Sequence, residues 1–263
     1  MSRNFELLQR VEEESRQSKA ERVIWESDAS AAPKNAARQI SSESMIECKQ
    51  PSATLPALTR EELFKFIQRL FLSPGSKAPH VVVLSGLEPQ NGSSWVATCA
   101  SEVLAAHVDS SVCIVDANLR YPAVHEHFGI ANHFGFSDAI LGSGPLCRFT
   151  KRLSRNLWLL TCGSPGADFN KLLIAERLRP RFQELRSEFD YVLVEAAAAG
   201  LYNDAMVLGQ LADGVVLVIE AHATRREAAQ NVKEDLIRAN VQVLGTVLNN
   251  RTFPIPKALY SRL

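Results

Sequence analysis

The chain has 263 residues, 46% of them hydrophobic and 22% charged, and its 29 Lys and Arg balance its 29 Asp and Glu, so it can bury a sizeable core but carries no global field for DNA, RNA or an anionic membrane. Its five cysteines, Cys48, Cys99, Cys113, Cys147 and Cys162, are odd in number and form no C-x-x-C pair, which argues against a disulfide framework or a zinc ribbon and for a reducing compartment. Apolar runs such as Val81-Val82-Val83-Leu84 fall far short of the ~20 residues of a membrane span, and the opening Met-Ser-Arg-Asn-Phe-Glu has no apolar signal core, so a cytoplasmic protein is expected, with any membrane association made through a partner.

Residues 1–56 are rich in Glu, Ser, Ala, Gln and Arg and punctuated by Pro33, Pro51 and Pro56, a composition that predicts a mostly disordered region. Within it Phe5, Leu8 and Val11 recur at helical spacing beside Leu7. They read either as a short amphipathic docking helix or as a marginal polar helix that packs on nothing. Residues 57–263 read as one domain in which short β-branched runs alternate with helical stretches and no internal repeat occurs. Strands are expected at 80–85, 112–117, 157–162, 191–195, 214–220 and 243–249. Continuous apolar runs such as Val215-Val216-Leu217-Val218-Ile219 indicate strands buried on both faces, hence a three-layer α/β fold with a mostly parallel central sheet flanked by helices. Ligands of such sheets bind beyond the carboxyl ends of the strands.

The first strand is followed by Ser85-Gly86-Leu87-Glu88-Pro89-Gln90-Asn91-Gly92-Ser93-Ser94-Trp95 and then by a helical run over 96–106. A strand, a small-residue loop and a helix N-terminus form the layout of a phosphate cradle. A P-loop needs Lys after its last Gly, and Ser93 stands there, while Ser94 can offer a hydroxyl to Mg²⁺. No Lys or Arg lies between Lys77 and Arg120, and Glu88 adds a negative charge. Asp116 closes the second strand and Glu195 the fourth, so the two carboxylates are expected to face each other across the top of the sheet; taken singly, each also reads as an ordinary capping or loop acid.

In this order the motifs resemble the bacterial tyrosine kinases of capsule and exopolysaccharide synthesis, a branch of the MinD/ParA-like P-loop NTPases, over residues 59–256. Pro89, Gly92 and Ser94 match a Walker A loop of the type P-G-E-G-K-S/T. Val115-Asp116-Ala117-Asn118-Leu119-Arg120-Tyr121-Pro122 matches the V-D-x-D-x-R-x-P motif. The stretch from Gly135 to Gly142 resembles G-L-S-D-x-L-x-G, and Phe189-Asp190-Tyr191-Val192-Leu193-Val194-Glu195 falls where the family has its Walker B strand. Asp204 follows as in the family, and Asn249 ends a last strand whose Asn lies near the adenine. The resemblance implies ATP and Mg²⁺ as cofactors, Asp116 and Glu195 as catalytic carboxylates, Gly92, Ser93, Ser94, Asn118, Arg120 and Asn249 as nucleotide contacts, and Ser94 with Asp116 as the Mg²⁺ ligands.

The departures fall on the catalytic groups. Ser93 replaces the family's Lys, Trp95 its Thr, Gln90-Asn91 its Gly-Glu, Asn118 the second Asp, Glu195 the Walker B Asp, and Ala196-Ala197-Ala198 its Thr-Pro-Pro. The C-terminal tyrosine cluster is reduced to Tyr260, the remaining phospho-acceptor candidate, and the ring-forming E-x-x-R-x-x-R helix to Glu62, Lys65 and Gln68. Phosphoryl transfer works by positioning and charge, so the sequence predicts a regulatory pseudokinase, with an active autokinase or a ParA/MinD-like ATPase as alternatives. A partitioning ATPase would show a basic surface, and Arg225-Arg226 is the one obvious basic pair of the late helices.

By resemblance, the partners are a membrane-embedded polysaccharide co-polymerase adaptor, an active kinase paralogue and further copies of the chain, with no nucleic acid, which places the protein at the inner face of the plasma membrane. The Phe5-Leu8-Val11 stripe or the helix over 63–71 is the expected docking surface. Trp95 is expected to plug the γ-phosphate region or to stack on a base, and His125, His127 and His133 to be surface histidines rather than a metal site.

Overall fold

The computed structural model describes residues 49, 53, 55–72, 78–164 and 169–251. The expected Phe5-Leu8-Val11 helix and Tyr260 lie outside these residues. In chain order the elements are α1 (Ala57–Phe71), β1 (Val81–Gly86), α2 (Ser93–His107), β2 (Val112–Asp116), α3 (Val124–Phe128), α4 (Phe136–Leu141), a 3₁₀ turn (Leu146–Arg148), β3 (Thr150–Arg152) and β4 (Leu157–Leu160). Then come α5 (Phe169–Leu172), α6 (Ala175–Glu188), β5 (Tyr191–Ala196), α7 (Asp204–Gly209), β6 (Gly214–Glu220), α8 (Arg226–Arg238) and β7 (Val243–Asn249).

The strands form one seven-stranded sheet in the order β3-β4-β2-β5-β1-β6-β7. Every pairing is parallel except that of β3 with β4. Side chains alternate between two cores, as the two-residue period of a strand requires. Val81 and Val83 of β1 and Cys113 and Val115 of β2 enter a core with Phe136, Phe182 and Leu208 from α4, α6 and α7. Val82, Leu84, Val112 and Ile114 enter the other, with residues of α1, α2 and α3. Burial on both faces explains why the strand sequences are continuously apolar rather than alternating.

The structure corrects two sequence expectations. Leu63, Ile67 and Phe71, spaced four apart along α1, are buried in the second core, and Phe71 meets Tyr191 edge-on at 5.5 Å. The helix over 63–71 therefore uses its apolar face within the domain and does not offer it to a partner. The second is β3, which has no counterpart among the expected strands: Thr150-Lys151-Arg152 has no apolar alternation, and its charged residues suit an edge strand that discourages further pairing.

Candidate functional site

The carboxyl ends of β1, β2 and β5 bring the predicted residues together. Leu84 and Glu195 are register partners between β1 and β5, and Asp116 and Glu195 between β2 and β5. The two carboxylates are thus neighbours at the top of the sheet, as the sequence predicts, and both are completely buried.

The loop after β1 turns through Gln90, whose φ of 65° is left-handed, and Gly92, with φ 82°. Gln90 stands where the resembling family has Gly, so an unfavourable backbone conformation is kept without the residue that makes it easy. α2 starts at Ser93 rather than near Val96. The Ser93 and Ser94 hydroxyls do not cap the helix. Both donate to Oε1 of Glu195, at 3.1 and 3.0 Å.

The remaining loop contacts are also internal. Asn91 is 2% exposed; its Nδ2 donates to the carbonyl of Val218 at 2.7 Å and its Oδ1 accepts the Ser93 N–H at 3.3 Å. Its side chain lies against Gly86 so closely that a Cβ there would be 2.2 Å from Oδ1. Asn249, expected near a base, donates from Nδ2 to the Asn91 carbonyl at 2.9 Å and would meet a Cβ on Gly92 at 2.3 Å. In the sequence Asn91 stands out only as a departure from the family's Glu. A short amide in a glycine-rich turn was the available signal, since Asn readily bonds to nearby backbone.

Asp116 accepts N–H bonds from Asn118 at 3.2 Å and from Val124 at 3.1 Å. Burial nevertheless pushes its carboxyl up to about 7 against the partial opposition of those N–H groups. Burial, and then the Asp116 charge beside it, raises Glu195 well above the ordinary carboxylate range, although the serine hydroxyls and Asn118 favour its ionised form. Oε2 of Glu195 is buried with no hydrogen-bond partner. The pair is therefore a proton-holding pair near neutrality, because two adjacent buried carboxyls without a cation do not both ionise.

Arg120, expected as a nucleotide contact and the cation left to the site, is bound to Asp204. Nε and Nη2 each reach a carboxylate oxygen at 3.1 Å, and the guanidinium lies 4.0 Å over the Tyr202 ring. Together with Leu173, Leu201 and Val207 they border an open pocket of about 310 Å³. Asn118 accepts the Tyr121 N–H at 3.0 Å, holding the turn that carries Arg120.

Trp95 does not plug the loop; its ring meets His127 edge-on at 5.1 Å and packs on the second core. One residue along α2 points about 100° away from the next, and this turn sends Trp95 to α3 instead. His133 is exposed, as expected, whereas His125 and His127 are partly buried on α3, and burial lowers the pKa of both. Among the described residues no three His, Cys, Asp or Glu are disposed to hold a metal ion. Of the ring-helix positions, Glu62 pairs with Lys65 at 3.0 Å on the exposed face of α1, where Gln68 also lies.

No family model matches the chain. It is 28% identical over 182 residues to tyrosine-protein kinase YwqD of Bacillus subtilis, covering 69% of this chain and 76% of that one. Against the putative tyrosine-protein kinase CapB of Staphylococcus aureus the identity is 25% over 203 residues, 77% of this chain and 88% of the relative. It also matches 179 residues of the succinoglycan biosynthesis transport protein ExoP of Rhizobium meliloti at 27% identity, 66% of this chain but only 22% of ExoP. Among solved structures, the chimeric protein CapA2B2 superposes with TM-score 0.68 at 21% identity, covering 73% of this chain and 85% of that one. Cobyrinic acid a,c-diamide synthase of Mycobacterium smegmatis, solved with a bound ATP analogue and magnesium, gives 0.54 at 14% identity over 64% of this chain and 72% of its own. These likenesses establish the P-loop NTPase fold.

The groups at this chain's loop do not fit a magnesium triphosphate. Ser93 and Ser94 donate their hydroxyl protons to Glu195, the Ser93 N–H is on Asn91, and two buried carboxyls lie beside the loop. With no Lys or Arg between Lys77 and Arg120, the loop supplies no fixed positive charge to offset several phosphate charges.

Proposed function

The chain is a homologue of the bacterial tyrosine kinases, and from that premise we propose that it serves exopolysaccharide or capsule biosynthesis as a regulatory, kinase-like protein that transfers no phosphoryl group. One observation carries the reading: at the position of the catalytic cation stands Ser93, whose hydroxyl rests on Glu195 at 3.1 Å. No Lys or Arg occurs between Lys77 and Arg120, and the Arg120 guanidinium is bound to Asp204. Phosphoryl transfer needs fixed positive charge around the transferred group, and this loop presents serine hydroxyls and carboxyls instead.

What this chain's residues do is maintain the scaffold. Asp116 fixes the turn after β2 through the N–H groups of Asn118 and Val124, and Arg120 with Asp204 ties that turn to the start of α7. A partner would thus meet a fixed kinase-like surface. The partners of this reading are a membrane-embedded co-polymerase adaptor, an active kinase paralogue and other copies of the chain. The likeness to a succinoglycan biosynthesis transport protein supports a place in polysaccharide synthesis, although this chain spans only 22% of that relative. No helix among the described residues is long and apolar enough to cross a membrane, and in this reading the adaptor holds the protein at the inner face.

Incubation of the full chain with γ-labelled ATP and Mg²⁺ tests the reading. The expected result is no label on any tyrosine, Tyr260 included. Stoichiometric phosphotyrosine on the chain alone would make it an autokinase.

A further inference from the structure

The missing cation is one reason for the misfit at the loop; the geometry around Glu195 supplies another. We propose that Glu195 is a second, independent lock on the nucleotide site, and that the loop is held in one shape by the chain's own side chains whether or not nucleotide is offered. The proposal rests on the regulatory reading above.

Three strands tie the loop down. From β5, Oε1 of Glu195 accepts both serine hydroxyls at the start of α2. From β6, the Val218 carbonyl accepts Asn91 Nδ2, while Asn91 Oδ1 takes the Ser93 N–H. From β7, Asn249 donates to the Asn91 carbonyl and closes over Gly92. Both serine hydroxyls and the Ser93 N–H, three donors a phosphate would call on, are therefore already in use.

The length of the Glu195 side chain is the decisive detail. Aspartate at this position would end one methylene lower, out of direct reach of two hydroxyls that now sit 3.0 and 3.1 Å from Oε1. The extra methylene brings the carboxyl into the space between β5 and the loop, where its second oxygen is buried without a partner. An unpartnered buried oxygen is costly, so the carboxyl is held there by the fold and not by a full set of bonds. A lysine introduced at 93 would remove one of the two hydroxyls on Glu195, but Ser94 would still be held by Glu195 and the loop by Asn91. Restoring the charge alone should therefore leave the site closed.

The test is a set of four full-length proteins, wild type, Ser93→Lys, Glu195→Asp and the double variant, each first shown to melt cooperatively and then titrated with Mg-ATP. Only the double variant should bind, at least about ten-fold above the detection limit shared by the other three. If Ser93→Lys binds as tightly as the double variant, Glu195 is no lock; if none of the four binds, the closure lies elsewhere, and either result overturns the proposal. Binding by the wild type would instead overturn the regulatory reading, so the two failures are distinguishable. Hydrogen exchange gives a second readout: the amides of residues 93–98 should be equally protected with and without Mg-ATP in the wild type, and should exchange at least about ten-fold faster in Glu195→Ala. Nucleotide-induced protection in the wild type, or unchanged exchange in Glu195→Ala, would also reject it.

Discussion

Glu195→Gln should raise thermal stability at pH 8, leave it almost unchanged near pH 4, and roughly halve the steepness with which stability falls between those values. The sign follows from linkage. Asp116 rises from its ordinary 3.8 to about 7, and Glu195 rises well above 4.5. Over that window the folded protein holds protons that the unfolded chain has released. Stability is therefore fully present below the unfolded values and is lost as pH rises, by at most about 1.4 kcal/mol per pH unit for each proton held.

The glutamine amide of that variant would keep the shape and accept the same serine hydroxyls without needing a proton. Asp116 would continue to titrate, which leaves about half of the slope. His125 and His127, both lowered by burial, act with the opposite sign below their ordinary value of about 6.5, but they are common to both proteins. The difference between the two pH profiles therefore isolates Glu195. Melting curves from pH 4 to 8 check this, with a gain of at least about 3 °C expected at pH 8 for a domain of this size. A variant less stable than wild type at pH 8 would show that the Glu195 carboxylate is ionised and well paired.

Ile67→Ala should destabilise the domain by about 2–5 kcal/mol, a loss of roughly 5–15 °C in melting temperature. Ile67 is fully buried between Leu63 and Phe71 on the face of α1 that meets α2 and the sheet. Removing its side chain leaves a cavity that the surrounding strands, tied into the sheet, fill only partly. On the opposite face, Gln68→Ala should change stability by less than about 0.5 kcal/mol. A near-neutral Ile67→Ala would return α1 to the role of a docking helix with an unused apolar face.

The sheet was legible in the sequence because its strands are buried on both sides. A run such as Val81-Val82-Val83-Leu84 has no solvent face to dilute the signal, and the expected strand at 214–220 coincides with β6. β3 was not legible, since an edge strand of Thr, Lys and Arg is held by β4 and not by its own pattern. The apolar spacing of α1 was visible, but spacing cannot say whether a partner or the domain's own core receives the face.

At the site, the residue types and their order carried the family resemblance and placed Asp116 beside Glu195. What could not be read was where polar side chains would turn once the family's charges were gone. The Arg120 bond to Asp204 spans 84 positions, the Ser93 bond to Glu195 102 and the Asn249 bond to Asn91 158. Such partners are set by strand order, which brings β1, β2, β5 and β7 loops together only after the sheet has formed. Trp95 illustrates the same limit on a smaller scale: its place in the motif suggested the phosphate region, but the helical turn at which it falls directs it to His127.

The most direct measurement is isothermal titration of the full wild-type chain with Mg-ATP at neutral pH. No binding heat is expected up to millimolar nucleotide, a Kd weaker than about 1 mM or about −4 kcal/mol. Saturable micromolar binding would contradict it, because a loop whose donors are bonded to Glu195 and Asn91 and whose cation is replaced by Ser93 could not then be closed.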